Sequence, residues 1–275
     1  MTTLIRTTAG ALCALALATG SALAADPPAI RIGWNQVPGH MAGMAWHDKT
    51  LGYLKNSDKT YVAKPIFFQG SGHQVTAIAA GQVDIAAVSP VAFVTILKKA
   101  NVDSRIIADV LHTACDGKTF TQPFYARKAA NINSLADLKG KKIGINSQGS
   151  ATDMSVLNAL SKGNLTKDDA TRIELKFSAM AAFLKEGKID VGGFLPQFVP
   201  DVANDPAMHK VFDACVGGPV ASVVLAASTK FIKENRAALV DMMADQMRAV
   251  RWFWDPANRD KVLKVVTDVT KAPVA

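Results

Sequence analysis

Short runs of apolar and β-branched residues alternate along this chain with stretches whose apolar positions recur every three or four residues. That is the signature of strands alternating with helices. Strands are predicted over 30–34, 61–68, 104–113, 142–146, 172–177 and 221–227, with an extended stretch over 120–126. Helices are predicted over 41–54, from the 70–72 loop to 80, over 90–100, 134–140 and 151–162, and up to 186. A long amphipathic helix is expected over 229–254, with another opening at Asp255-Pro256.

One short pattern occurs twice in this series. Gly81-Gln82-Val83-Asp84-Ile85-Ala86-Ala87-Val88-Ser89-Pro90 recurs as Gly187-Lys188-Ile189-Asp190-Val191-Gly192-Gly193-Phe194-Leu195-Pro196. The Gly closes a helix in the left-handed conformation that glycine adopts without penalty. The apolar run is a buried strand, and the Pro suits the first turn of the next helix. Ile32-Gly33-Trp34-Asn35 and Ile143-Gly144-Ile145-Asn146 also match, which extends the duplication to the strand that begins each copy. Two similar α/β lobes follow. Ligands of open α/β sheets sit outside the carboxyl ends of the strands, so two such lobes would enclose a cleft.

The first 24 residues read differently. Arg6, an apolar stretch over 9–18 and Ala22-Leu23-Ala24 before Ala25-Asp26 form the three regions of a secretory signal peptide. The apolar run falls short of the roughly 20 residues a membrane span needs. Cys13 follows Leu12 rather than a small residue, which does not fit a lipoprotein acylation site. Cleavage after Ala24 would deliver a periplasmic protein. The remaining chain carries 30 basic against 23 acidic residues, a net charge of +7, with no block of five like charges. That scatter argues for solubility and against nucleic-acid binding. Two cysteines remain, Cys115 and Cys215. Either they form one disulfide clipping the two crossings between lobes, or they are separately buried thiols.

The strand ends nominate the cleft residues. The first lobe offers Asn35, Gln36 and His40, then Gln69, Gly70 and Ser71, then Ser89. The second offers Ser147, Gln148, Gly149, Ser150 and Thr152, then Gln197. Nearly all are neutral hydrogen-bonding residues or glycines ahead of helices, where unpaired N–H groups and the helix dipole favour a polar or anionic ligand. Each also has a plain local role. Ser71, Ser89 and Ser150 suit N-caps, each contributing about 1 kcal/mol; Asn35 and Asn146 suit turns; His40 suits a loop. Trp34 and Trp46 read as core, and Phe194 fits either place. Asp153 reads as an acid in a first helical turn, and Asp84 and Asp190 read as structural. The chain has no Gly-x-Ser-x-Gly, His-Glu-x-x-His, P-loop or Cys-x-x-Cys motif, and its five histidines lack metal spacing. No catalytic, metal or cofactor role is assigned.

Ile30-Arg31-Ile32-Gly33 after a leader, Gly70-Ser71-Gly72, Ala79-Ala80-Gly81-Gln82-Val83-Asp84-Ile85-Ala86 and Leu135-Ala136-Asp137-Leu138-Lys139-Gly140-Lys141-Lys142-Ile143-Gly144 resemble the exported solute-binding subunits of ABC importers. The resembled group is that of the nitrate, sulfonate and taurine binding proteins, which includes binders of thiamine-pyrimidine precursors. The resemblance spans most of residues 30–255. It implies an α/β fold of the two-lobe type II periplasmic-binding-protein kind with a ligand cleft between the lobes. The first lobe would span 25–115, the second 116–216, and 217–275 would return to the first. It further implies a monomer that closes on one small molecule and hands it to an inner-membrane permease and ATPase. Contacts would come from the regions of Asn35, Gln36, Gln69, Ser71, Ser89, Ser150 and Gln197. Members of that group usually run a few dozen residues beyond a segment like 261–274, which implies a truncated C-terminus here. The cleft set also lacks their Arg clamp. Two alternatives stay open: an enzyme on the same fold, of the thiamine-pyrimidine or menaquinone-pathway type, and a binding subunit feeding a sensor.

Overall fold

The doubled pattern occupies equivalent places in two sheets. The computed structural model describes residues 26–35 and 41–270; the leader, Gln36 and His40 lie outside the described residues. Among these, ten strands form: β1 (Ala29–Trp34), β2 (Val62–Phe67), β3 (Ile85–Val88), β4 (Ser104–Thr113), β5 (Pro123–Arg127), β6 (Lys142–Ile145), β7 (Thr171–Glu174), β8 (Val191–Gly193), β9 (Met208–Asp213) and β10 (Val220–Ser228). They make two five-stranded sheets, ordered β2-β1-β3-β10-β4 and β7-β6-β8-β5-β9. In each, three parallel strands are followed by one antiparallel strand whose chain has crossed from the other sheet. The register repeats as well. Ile32 lies opposite Ile85 where Ile143 lies opposite Val191, the matching position of the second copy.

The helices are α1 (Met41–Met44), α2 (Ser71–Ala79), α3 (Pro90–Lys98), α4 (Ala151–Lys162), α5 (Phe177–Lys185), α6 (Pro200–Ala203), α7 (Thr229–Glu234), α8 (Arg236–Trp254) and α9 (Arg259–Thr270). Successive strand residues point to opposite faces, and both faces of each sheet are covered. Ile85 and Ala87 pack with α1, α8 and α9, through Met44, Leu239, Met242 and Val265. Ala86 and Val88 pack with α2 and α3, through Ala77, Ile78, Ala92 and Ile96. This two-sided burial explains why the run is unbroken rather than alternating. In the second sheet, Ile143 and Ile145 pack with α4, while Ile189 and Phe194 pack with Met180 and Leu184 of α5. Each fully buried aliphatic side chain contributes about 1.5–3 kcal/mol.

The punctuation of the pattern has the predicted geometry. Gly81 and Gly187 have φ of 65° and 73°, in the left-handed region. The aspartates latch neighbouring strands at the ends away from the cleft. Asp84 accepts the Arg31 N–H (2.8 Å) and pairs with the Arg31 guanidinium, and Asp190 accepts the Lys142 N–H (2.9 Å). Cys115 and Cys215 are bridged, with Cα atoms 5.6 Å apart.

Several elements differ from expectation. Residues 41–54 are not one helix: α1 ends at Met44, and a 3-10 turn over Lys49–Leu51 ends at Gly52 with φ of 80°. Trp46 and Tyr53 are instead drawn into the core, which a continuous helix would not allow. The helix expected over 229–254 breaks at Asn235, whose Nδ2 donates to the Phe231 carbonyl and closes α7. The second copy's Pro196 opens only a 3-10 turn, Pro196–Phe198, because Pro200 starts a helix of its own. Strand β9 lies where the sequence pattern predicts no element.

Candidate functional site

The carboxyl ends of β1, β2 and β3 meet those of β6 and its neighbours at a narrow seam. Gln69, just beyond β2, donates from Nε2 to the Asn146 carbonyl (2.9 Å), and Asn146 Nδ2 donates back to the Gln69 carbonyl (3.2 Å). Ser89 Oγ donates to the Gly149 carbonyl while accepting the Ala92 N–H of α3 at 3.1 Å. A Cβ on Gly70 would lie 2.0 Å from Ser147 Oγ, and one on Gly72 would lie 2.7 Å from the Gln148 carbonyl oxygen. Gly70 makes room for the Ser147 side chain and Gly72 for the Gln148 carbonyl, a role distinct from the N–H donation read in the sequence.

Behind the seam lies a chamber of about 70 Å³. Its polar wall is Asn35, Ser71, Gln122, Asn146, Ser150 and Thr152; Leu111, Phe177, Leu195 and Val223 supply the apolar wall. A second chamber of about 100 Å³ shares Leu111, Gln122, Ala151 and Leu195, and adds Phe120, Pro196, Ala214, His112, Thr113, Ser155 and Ser222. No Lys, Arg, Asp or Glu lines either among the described residues. A larger open groove of about 840 Å³ runs beside Arg31, Asp84, Asp103 and Lys230. It lies at the opposite ends of β3 and β4, where the ion pairs are structural, so it is not the candidate site.

Each wall residue is held by its element. Asn35 Nδ2 donates to the Phe68 carbonyl (3.2 Å) and its Oδ1 accepts from Gln74 Nε2 (3.0 Å). Ser71 is the first helical residue rather than the N-cap; its Oγ accepts the Ser89 N–H at 3.1 Å. Ser150 caps α4 through the Asp153 N–H (3.1 Å). Thr152 donates from Oγ1 to Gln122 Oε1 (3.2 Å). Two buried side-chain atoms on this wall have no hydrogen-bond partner among the described residues, Gln122 Nε2 and Asn146 Oδ1. Native interiors rarely leave such atoms unpaired, and each unpaired one costs about 1–3 kcal/mol.

Of the nominated residues, Asn35, Ser71, Ser150 and Thr152 therefore share one chamber wall. Gln69, Gly70 and Ser89 form the seam instead. Gln148 is exposed, and its N–H donates to Glu174 Oε1 at 2.8 Å. Gln197 sits on the 3-10 turn, outside both chambers, with a buried Oε1 that has no hydrogen-bond partner among the described residues. Gln122, Leu111 and Val223 went unnominated. Gln122 and Val223 belong to the crossings and the antiparallel strands, whose direction no local pattern reveals.

Residues 64–257 match the family described as NMT1/THI5 like. The chain belongs to that family. Solved structures share the fold of this family member at low identity. The alkanesulfonate-binding protein SsuA from Xanthomonas axonopodis pv. citri, bound to MOPS, superposes with a TM-score of 0.72 at 17% identity, covering 91% of this chain and 82% of that one. The aliphatic sulphonate binding protein SsuA from Escherichia coli gives 0.67 at 16%, covering 90% and 80%. The nitrate-binding protein NrtA from Synechocystis PCC 6803 gives 0.67 at 12%, covering 89% and 67%. The predicted two-lobe periplasmic-binding-protein fold is thereby established.

The seam yields a prediction of opposite signs. Gly72→Ala should stabilise the start of α2 by roughly 0.5 kcal/mol while pressing across the seam on a backbone atom that cannot rotate away. Overpacking of this kind costs about 1–3 kcal/mol, so affinity for a bound solute should fall about ten- to hundredfold. Calorimetry with parallel thermal unfolding checks it. Unchanged affinity would mean that the seam does not form in the bound state.

Proposed function

We propose that this family member is an exported solute-binding protein that captures a small polar or anionic molecule by hinge closure. The bound form is then recognised by an inner-membrane permease with its ATPase, and the protein works as a periplasmic monomer after cleavage behind Ala24. Binding rather than catalysis is the role. We place the lobes at 25–115 and 116–216, with 217–275 returning to the first, and the hinge at the two crossings joined by the Cys115–Cys215 bridge. The observation that carries this reading is the pair of unpartnered amide atoms, Gln122 Nε2 and Asn146 Oδ1, on a chamber wall at the strand ends. A solute bridging wall residues from both sheets favours the closed population by its differential affinity for it.

A thermal-shift screen of residues 25–275 tests this, spanning inorganic anions, sulfonates, amino-acid derivatives, pyrimidines and aromatic acids. A true ligand at a hundred times its Kd adds about 2.7 kcal/mol of stability. A folded protein that responds to none of these classes would overturn the reading.

A further inference from the structure

The chamber wall also bears on the charge of the solute, given the solute-binding reading above. Asn146 is the decisive residue. Its Nδ2 donates to the Gln69 carbonyl at 3.2 Å, which fixes which amide atom is which. Its Oδ1 is therefore an acceptor, and it is buried with no donor among the described residues. Only a solute that carries an N–H or O–H can pair with it. Sulfonate, nitrate and carboxylate groups are acceptors only at neutral pH, and each would set oxygen against oxygen there.

Two backbone donors of the loop ahead of α4 are also occupied. The Gln148 N–H is taken by Glu174 (2.8 Å) and the Gly149 N–H by Asp153 Oδ2 (2.8 Å). The Asp153 N–H is taken by Ser150. A loop of this shape can bind an anion when its N–H groups are free; here two carboxylates already hold the Gln148 and Gly149 N–H groups. Arg172 compensates Asp153 at 2.7 Å, whereas Glu174 has no ion-pair partner among the described residues. Asp153 in the first turn of α4 further offsets the positive end of that helix dipole. With no Lys or Arg on the chamber walls among the described residues, an anion would lose its hydration without gaining a fixed countercharge, where an uncharged solute gives up less.

We propose that the cleft selects an uncharged solute presenting a donor beside an acceptor, as an amide does. The donor pairs with Asn146 Oδ1 and the acceptor with Gln122 Nε2. The solute's apolar flank would extend toward Leu111, Leu195 and Phe120 of the second chamber.

Calorimetry at pH 7 with matched skeletons tests the proposal on residues 25–275. The uncharged probes are propanamide, benzamide, nicotinamide and uracil; the charged ones are propanoate, benzoate, nicotinate, ethanesulfonate and nitrate. The expected result is at least tenfold tighter binding of the best uncharged probe than of its anionic partner, with little change between 20 and 300 mM salt. Tighter binding of any anion, weakening with salt, would overturn this inference and leave solute capture standing. No binding by either set, or by the wider screen above, would overturn solute capture and this inference with it.

Discussion

Replacing Asp245 with alanine should lower the free energy of unfolding by about 3–5 kcal/mol, the range expected when one partner of a buried charged network is removed. Asp245 lies on α8 with no solvent exposure. Its Oδ1 accepts the Lys55 N–H (2.8 Å) and the Arg248 guanidinium; its Oδ2 accepts the Asn56 and Ser57 N–H groups (both 3.0 Å) and the Tyr61 hydroxyl (2.8 Å). Arg248 Nε also holds the Tyr53 carbonyl at 3.1 Å, and Tyr61 accepts from Trp46 Nε1 at 3.1 Å. One carboxylate thus fastens the irregular stretch between α1 and β2, which has little secondary structure to stabilise itself. Without it, three part-buried backbone donors and the buried Tyr61 hydroxyl lose their acceptor.

The same group makes stability pH-dependent. Burial pushes the Asp245 carboxyl up, but the Lys55 N–H, Arg248, Tyr61 and the Asn56 N–H outweigh it and hold it below its ordinary value of 3.8. A carboxyl depressed on folding stabilises fully above its unfolded value and loses that contribution as pH falls through its folded value. Urea unfolding between pH 5 and pH 2.5 should therefore show a steeper loss for the wild type than for Asp245→Asn. Tyr61→Phe, which removes one donor to Asp245 and the acceptor of the buried Trp46 Nε1–H, should cost about 1–3 kcal/mol and guards against a variant that does not fold. A loss below 1 kcal/mol for Asp245→Ala would show that water replaces the carboxylate.

The duplication was legible because each of its parts has a local physical cause. Gly81 and Gly187 need the left-handed region, the β-branched runs need burial on both faces, and Pro90 needs a first helical turn. Those causes act within ten residues, so a short sequence window contains them. The 41–54 segment misled because its helix-forming residues surround Trp46 and Tyr53, whose burial is decided by α8 some two hundred residues later. β9 escaped notice because Met208, Val211 and Phe212 alternate imperfectly, and its pairing with β5 shifts register midway.

The candidate site divides in the same way. Asn35, Ser71, Ser150 and Thr152 stand at the ends of parallel strands or the starts of the helices that follow, so the strand-end rule reaches them. Gln122 and Val223 reach the chamber from chain that has crossed between sheets and runs antiparallel, and that direction is a property of the assembled topology. The glycines at 70 and 72 were visible, but their use was not. Which atoms lie opposite them depends on how closely two sheets meet, and that distance is set by packing far from either glycine.

Removing the Cys115–Cys215 bridge should cost about 4 kcal/mol of stability while leaving solute affinity within about threefold. The bridge closes a loop of 100 residues that contains the whole second sheet, and the chain-entropy account assigns such a loop close to 4.7 kcal/mol. The two crossings are held together independently of sulfur. β4 and β10 pair from Thr113 opposite Val220 to Ser104 opposite Ser228, and the Thr113 and Ser222 hydroxyls meet at 2.5 Å. Under the proposed hinge closure, a Cys115→Ser, Cys215→Ser protein therefore loses a constraint on its unfolded chain and on twisting but keeps the path of closure. Urea unfolding of the double variant, beside calorimetry with the tightest solute from the screen, separates these effects. An affinity loss beyond tenfold would make the bridge part of the closed geometry rather than a stiffener of the hinge. A stability loss below 1 kcal/mol, with affinity unchanged, would leave the bridge no role at the hinge at all.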